Sequence, residues 1–270
     1  MKTVVLSNHK GGSSKTTATL NIAVTLASTG SRVLAVDLDQ QGNLSAALGA
    51  DLQELEDSHL TSYRLMLDER GDFSHYIFPS RPRLDFLPAC LDADAEALLD
   101  SQSVSRELLL KQKLLPAQAS YDFCVIDTPP ALRIPTLNAL AMSDLTIVPV
   151  ESSMFALLGL GQLLRTISKV RRAHAPNMQL MALSTMYTAR QNLDKEIREK
   201  VIAKFTEDFV FRTTIPRAVA VGQATATLQA VVEAAPESTP AFSFRKLVAE
   251  IQEVLNDEQE AEAAAERNAR

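Results

Sequence analysis

A single α/β domain, with a twisted and mainly parallel sheet covered by helices on both faces, is predicted by three features of the sequence. Short apolar runs alternate with helical patterns of ten or more residues. The runs themselves are apolar, as strands buried on both faces must be. A glycine-bearing loop and three acids fall where the carboxyl ends of those strands would meet, which is where open α/β sheets bind ligands. In order, residues 3–8 form a strand, residues 9–14 the loop, and Thr16 to Ser28 an amphipathic helix stopped at Gly30. Arg32 to Asp37 is a second strand ending in acids. Residues 84–88, 122–127, 144–150, 179–185 and 209–215 are further strands, and 155–173 and 193–206 are helices. The stretch 51–80 has weak periodicity and is expected to be helical and mobile. Seven or eight strands and one domain over residues 1–255 are expected, followed by an acidic, frayed or disordered tail over 256–270.

The 270 residues are 46% hydrophobic and 22% charged, ordinary globular values. No run of about 18 apolar residues suggests a membrane span. The N-terminal Met1-Lys2-Thr3-Val4-Val5-Leu6 enters a strand directly and lacks the pattern of a signal peptide, so a cytoplasmic location is expected. Two cysteines, Cys90 and Cys124, suit a reducing compartment and read as small core residues. The formal charge of -6 excludes a uniformly basic nucleic-acid binder, but residues 165–217 carry eleven Lys/Arg against five Asp/Glu. That segment is net +6 and the remainder net -12, an asymmetry that sets a local positive field on an acidic body.

His9-Lys10-Gly11-Gly12-Ser13-Ser14-Lys15-Thr16-Thr17 lies between the first strand and first helix. In that context backbone N–H groups and a helix N-terminus face phosphates, Lys15 neutralises β/γ charge, and the Thr16 hydroxyl meets Mg²⁺. The strict G-x-x-x-x-G-K-[ST] pattern is broken, because His9 and Ser14 stand at its two glycine positions.

Lys10 to Thr17 resembles the deviant Walker A loop K-G-G-x-G-K-T-T of the ParA/MinD family. Val36 to Asn43 resembles its D-x-D-P-Q-G-N run, Asp122 to Pro130 its Walker B strand, and Thr185-Met186-Tyr187 with Arg190 and Asn192-Leu193 its T-M-Y-D-x-R-T-N-L. Ile215-Pro216-Arg217 is similar to its I-P-R, and the resemblance, closest to ParA, covers residues 1 to about 255. It implies a P-loop ATPase in which ATP and Mg²⁺ are sandwiched between two subunits. Lys10 would reach the partner's nucleotide, Gly11, Gly12, Ser13, Ser14 and Thr17 would cradle phosphates, and Met186, Pro216 and Arg217 would frame the adenine. Thr16, Asp39 and Asp127 would belong to the Mg²⁺ site, Asp39 also orienting the attacking water, with Asp37 supporting from behind. Catalysis would rest on Lys10, Lys15, Asp39 and Asp127. Gln40 in place of proline, Ala218 in place of asparagine and Ser14 in place of glycine depart from the family pattern, and slow hydrolysis is expected.

The same resemblance implies a homodimer when ATP is bound, nonspecific binding to double-stranded DNA on the nucleoid, and a ParB-type partner that stimulates hydrolysis. The cargo would be a chromosome or plasmid, or else another cellular cargo. Arg190 and Arg217 match family positions, while Arg171, Arg172, Lys195, Arg198, Lys200 and Arg245 follow from charge alone. No helix-turn-helix pattern precedes residue 3, so operator-specific repression is not expected. Three rivals remain. A MinD-like membrane switch would use the apolar stripe Phe244, Leu247, Val248, Ile251, Val254 and Leu255. An iron–sulfur reductase of the nitrogenase iron-protein kind would need its cysteines at a subunit interface, and a P-loop ligase or kinase would need a small-molecule site.

Overall fold

The computed structural model describes every residue except 13, 70–71, 103–104, 154–158, 207–208 and 269–270, with side chains described as far as residue 256. The first half runs β1 (Lys2–Leu6), α1 (Lys15–Ser28), β2 (Val33–Asp37), α2 (Asn43–Ala47), α3 (Leu52–Ser58), α4 (Ser62–Leu67), β3 (Phe78–Arg81), β4 (Leu84–Leu87), α5 (Ala93–Ser101) and α6 (Leu109–Leu114). It continues with β5 (Phe123–Asp127), α7 (Ile134–Ala141), β6 (Leu145–Glu151), α8 (Leu160–His174), β7 (Gln179–Thr185), α9 (Asn192–Phe205), α10 (Val219–Ala226), α11 (Val231–Ala234) and α12 (Thr239–Asn268).

The seven strands lie in the order β3-β4-β2-β5-β1-β6-β7 and are parallel except for the β3/β4 hairpin at one edge. Successive residues of a strand face opposite sides of the sheet, and here both sides are covered. Val4 and Leu6 pack with Leu20, Ile22 and Leu26 of α1 and with Phe244, Leu247 and Ile251 of α12. Val5 between them packs on the other face with Leu140 of α7 and Leu163 and Ile167 of α8. Since β1 is bordered by β5 on one side and β6 on the other, the chain reverses its winding direction there. The crevice outside the carboxyl ends of β1, β2 and β5 is therefore the favoured ligand position.

Two expectations are corrected. Residues 209–215 do not form a ladder strand: Val210 touches β7 through an isolated bridge with Ala182, and just beyond both elements Pro216 bridges Tyr187. Phe211 and Ile215 still donate to the Ala182 and Ser184 carbonyls of β7 at 3.0 and 2.9 Å, but between them the Arg212 and Thr213 N–H groups turn to the Glu250 carboxylate of α12 at 2.9 and 3.0 Å, which interrupts the ladder. The stretch 51–80 is not only helical: after α3 and α4 it ends in β3, which the two prolines Pro79 and Pro82 obscure in the sequence. The helix expected over 155–173 is α8, and its expected first residues fall among 154–158, outside the described residues. Cys124 is fully buried and Cys90 nearly so. The stripe Phe244, Leu247, Val248, Ile251 and Leu255 is buried in the core, and among the described residues no helix is long and apolar enough to cross a membrane.

Candidate nucleotide site

The loop after β1 is pinned from below. Asn8 donates its side-chain amide to the Pro149 carbonyl at 2.6 Å and accepts from the Lys10 N–H at 3.1 Å. Two residues then take the left-handed conformation, Gly12 at φ 72° and Ser14 at φ 66°, ψ 21°. Left-handed residues in such a loop can turn neighbouring backbone N–H groups to one side, a concave nest suited to an anion. Glycine adopts such angles freely, whereas a serine there is held against a cost of about 1–2 kcal/mol. Ser13 lies outside the described residues.

α1 begins at Lys15, whose side chain is buried and donates from Nζ to the Lys10 carbonyl at 3.4 Å. Burial lowers its pKa, and the charges of Asp127 and Asp39 oppose that shift. One residue on, Thr16 donates from Oγ1 to Asp127 Oδ2 at 2.5 Å, and Thr19 approaches the other oxygen at 3.5 Å. Asp127 closes β5 and stands beside Asp37, the last residue of β2, in register. Asp37 accepts from the Asp39 N–H at 3.0 Å, the Ser45 N–H at 2.9 Å and the Ser45 hydroxyl at 2.7 Å, so it braces the loop that carries Asp39. Both buried carboxyls are pushed well above the usual range: Asp37 by desolvation and the Asp127 charge, Asp127 by desolvation that Thr16 and Lys15 only partly offset.

A cavity of about 780 Å³ opens over the nest. Its wall includes Gly11, Gly12, Ser14, Lys15, Thr16, Thr17, Asp39, Met186, Pro216 and Arg217, so the expected phosphate and base residues converge on one space. At the base end stands Thr185, whose buried hydroxyl has no partner among the described residues. The residues fit a nucleotide: an amide nest and a buried lysine at one end, an apolar wall with an unpaired hydroxyl at the other. Oxygen donors from Thr16, Asp127 and Asp39 also suit Mg²⁺. Among the described residues no cluster of three His, Cys, Asp or Glu could hold a metal unaided.

Lys10 goes elsewhere. Its Nζ lies 2.6 Å from Glu151 Oε2 and 3.4 Å from Ser153 Oγ, and the residue is not part of the cavity wall. Gln40, where the family pattern has proline, donates from Nε2 to the Asp92 carbonyl at 3.1 Å and ties the Asp39 loop to the start of α5.

Sequence reasoning missed the far wall, formed by Val221, Gly222, Thr225, Leu228, Gln229 and Phe244. α10 is made of small residues with one buried position, Ala224, and carries no periodic signal. The basic residues do not form one patch. Arg190 and Arg217 line a common cleft, and Lys195 is exposed in the first turn of α9 nearby. Arg171 and Arg172 lie in the last turn of α8, toward the amino ends of the strands and away from the loop. Lys200 pairs with Glu196 at 2.6 Å, and Arg245 sits over the Phe242 ring at 5.2 Å. Arg198 is half-buried and donates to Ser184 Oγ at 3.0 Å and the Phe211 carbonyl at 3.1 Å.

A family model described as an AAA domain matches residues 1–180. The sporulation initiation inhibitor protein Soj of Bacillus subtilis is 33% identical over 251 residues, spanning 93% of this chain and 98% of that protein. The chromosome partitioning protein ParA of Caulobacter vibrioides is 34% identical over 227 residues, spanning 83% and 84% of the two chains. A crystal structure from Mycobacterium smegmatis, described as cobyrinic acid a,c-diamide synthase with bound ATP analogue and magnesium, superposes with a TM-score of 0.78. It is 31% identical, with 92% and 93% of the two chains covered. With the two-lysine loop, the acids at the ends of β2 and β5, and this similarity along nearly its whole length, the chain belongs to the ParA family of P-loop ATPases.

Proposed function

We propose that the protein is a slow ATPase whose ATP-bound form dimerises, binds DNA without sequence preference and drives chromosome or plasmid partition with a ParB-type partner in the cytoplasm. The divergence of the two lysines carries this reading. Lys15 is buried in its own nucleotide cavity, whereas Lys10 sits outside that cavity on Glu151, available to a second subunit. Partition relatives spanning most of the chain support the same reading.

In the site so assigned, the nest at Gly11 to Ser14 and the Lys15 ammonium bind and orient the triphosphate of ATP. Thr16 and Asp127 would hold Mg²⁺, which neutralises phosphate charge when bound. Asp39, half-buried at the cavity wall and held by the Gln41 N–H at 3.1 Å, orients water for attack on the γ-phosphorus. Hydrolysis to ADP and phosphate removes the charge that Lys10 of the second subunit would contact, and the dimer opens.

The test is Lys10→Ala, followed by light scattering with Mg²⁺ and a non-hydrolysable ATP analogue. The wild type is expected to shift from monomer to dimer and the variant to stay monomeric while still binding nucleotide. A variant that dimerises like the wild type refutes the switch. A second reading, ATP-dependent amide synthesis, is favoured by the likeness to the structure described as a diamide synthase. ATP turnover that rises with duplex DNA and a ParB-type protein argues against it, and turnover that responds only to a small carboxylic acid supports it.

A further inference from the structure

Asp39, assigned above to the attacking water, sits in a loop that lacks the family pattern's own restraint. There a proline follows the acid. A proline locks its own φ and also keeps the residue before it out of the helical region, so it would fix the backbone of Asp39 directly. Gln40 stands in its place and does neither.

The loop is restrained from another side. Three consecutive residues of α4 reach three of its positions. The Ser62 hydroxyl donates to the Asp37 carbonyl at 2.7 Å, and the Tyr63 hydroxyl donates to the Leu38 carbonyl at 3.1 Å. Arg64 acts one step further out: its Nε and Nη2 donate to the two carboxylate oxygens of Asp92 at 2.5 and 2.9 Å. Such a two-pronged, charge-assisted contact fixes direction as well as distance. Asp92 immediately precedes α5, where its carboxylate accepts from the Ala95 N–H at 2.9 Å and its carbonyl from the Glu96 N–H at 3.1 Å. Held by a guanidinium and by a helix start, that carbonyl is a fixed acceptor, and it takes the Gln40 side-chain amide at 3.1 Å. Asp39 lies in the nucleotide cavity wall, whereas Gln40, Arg64 and Asp92 do not.

We infer that Gln40, Asp92 and Arg64 are positioning residues for Asp39, and that their tether takes over the restraint proline supplies in the family pattern. The inference rests on the assignment of Asp39 to the attacking water and adds the residues that aim it. With the tether cut, the loop keeps its anchors at Asp37 and Leu38, but nothing past Asp39 ties it to α5. A misplacement of about 1 Å at a reacting group can cost about 100-fold in rate. Because the tether does not meet the ligand, its loss falls on kcat and leaves nucleotide affinity alone.

The full chain is assayed for ATP hydrolysis with Mg²⁺ over a range of ATP concentrations. Gln40→Met keeps the side-chain length and removes the donor; it is expected to lower kcat about 3- to 10-fold with KM unchanged. Gln40→Pro restores the restraint by the other route and is expected to turn over at least as fast as the wild type. Arg64→Lys keeps the charge without the two-pronged contact, and is expected to fall between the wild type and Gln40→Met. In an Asp39→Ala background, Gln40→Met is expected to change turnover by less than about 2-fold, since the group it aims is gone. A lesion that acts through folding lowers turnover in both backgrounds. The tether is overturned by a wild-type kcat in Gln40→Met, by a loss carried in KM, by an equal loss in the Asp39→Ala background, or by Gln40→Pro as slow as Gln40→Met. Arg64→Lys at the wild-type rate overturns the part given to Arg64. All of these leave Asp39 standing, whereas wild-type turnover in Asp39→Ala itself overturns that assignment and the tether with it.

Discussion

Replacing Ser14 by glycine separates backbone strain from steric obstruction in the phosphate loop. Ser14 holds φ 66°, ψ 21° at the first turn of α1 without capping the helix by its side chain. Glycine relieves the left-handed cost of about 1–2 kcal/mol. It also frees the unfolded chain, returning roughly 0.5–1 kcal/mol. The net gain in stability is about 0.5–1 kcal/mol, a rise in melting temperature of about 1–4 °C for a chain of this size. Nucleotide binding responds separately, because Ser14 lines the cavity beside Lys15 and Thr16, where the proposed site takes the triphosphate. Ser14→Gly is therefore expected to bind ATP and turn it over about 3- to 10-fold better, the equivalent of roughly 0.7–1.4 kcal/mol. Ser14→Ala keeps the strain and the Cβ, and is expected to resemble the wild type in both respects. Thermal unfolding, fluorescent-nucleotide titration and phosphate release measure the three quantities. Wild-type turnover equal to or above that of the glycine variant refutes the reasoning, and so does a melting temperature that falls.

Asp39→Ala is expected to lower ATP turnover about 100-fold with little change in melting temperature, since Asp39 is half-buried at the cavity wall; undiminished phosphate release removes it from the chemistry. Asp127 and Asp37 ionise near pH 4 when unfolded but near about 7 and about 8 when folded, because burial disfavours both charges, helped by the Asp39 charge at Asp127 and by the Asp127 charge at Asp37. The native chain thus holds more protons across that window, and their contribution to stability is full below about pH 4 and is lost as pH rises through the folded values. Without nucleotide, Asp127→Asn should exceed the wild type by on the order of 2 kcal/mol at about pH 8 and approach it near pH 5, read by urea denaturation; a pH-independent difference contradicts the shifts. Gly42→Ala should cost about 2 kcal/mol or more, because a Cβ there would meet Leu52 Cδ2 at 2.8 Å and the Ala89 carbonyl at 3.0 Å at a φ of 64°. Unfolding midpoints within error of the wild type would show that the Asp39 loop relaxes freely.

The strand, loop and helix at residues 2–28 were legible because each level agrees: an apolar run, glycines at the turn, and a lysine and threonines at the helix start. Asp37 and Asp127 stand out in the sequence as acids closing apolar strands, and Asp39 follows two residues after the first of them. α10 was not, since its small residues mark neither a core face nor a polar one, and its role comes from what it stands beside. The break at 209–215 depends on Glu250, some 37 residues away, and local propensity carries no trace of such a contact. Charge alone ranked Arg198 with Lys195, although one donates to carbonyl and hydroxyl acceptors and the other is exposed.

The carboxylate of Glu250 also decides how copies of the chain can meet. A free sheet margin is a template on which a further strand adds, and such growth has no natural end. Here the β7 margin is interrupted by the diverted residues and by the Arg198 guanidinium. The opposite margin is β3, four residues long with Pro79 inside it. Neither flank can zip onto a neighbour. In the switch proposed above, two-fold pairing falls to the surface bearing the phosphate loop, and a closed pair of that kind cannot run on into a fibre.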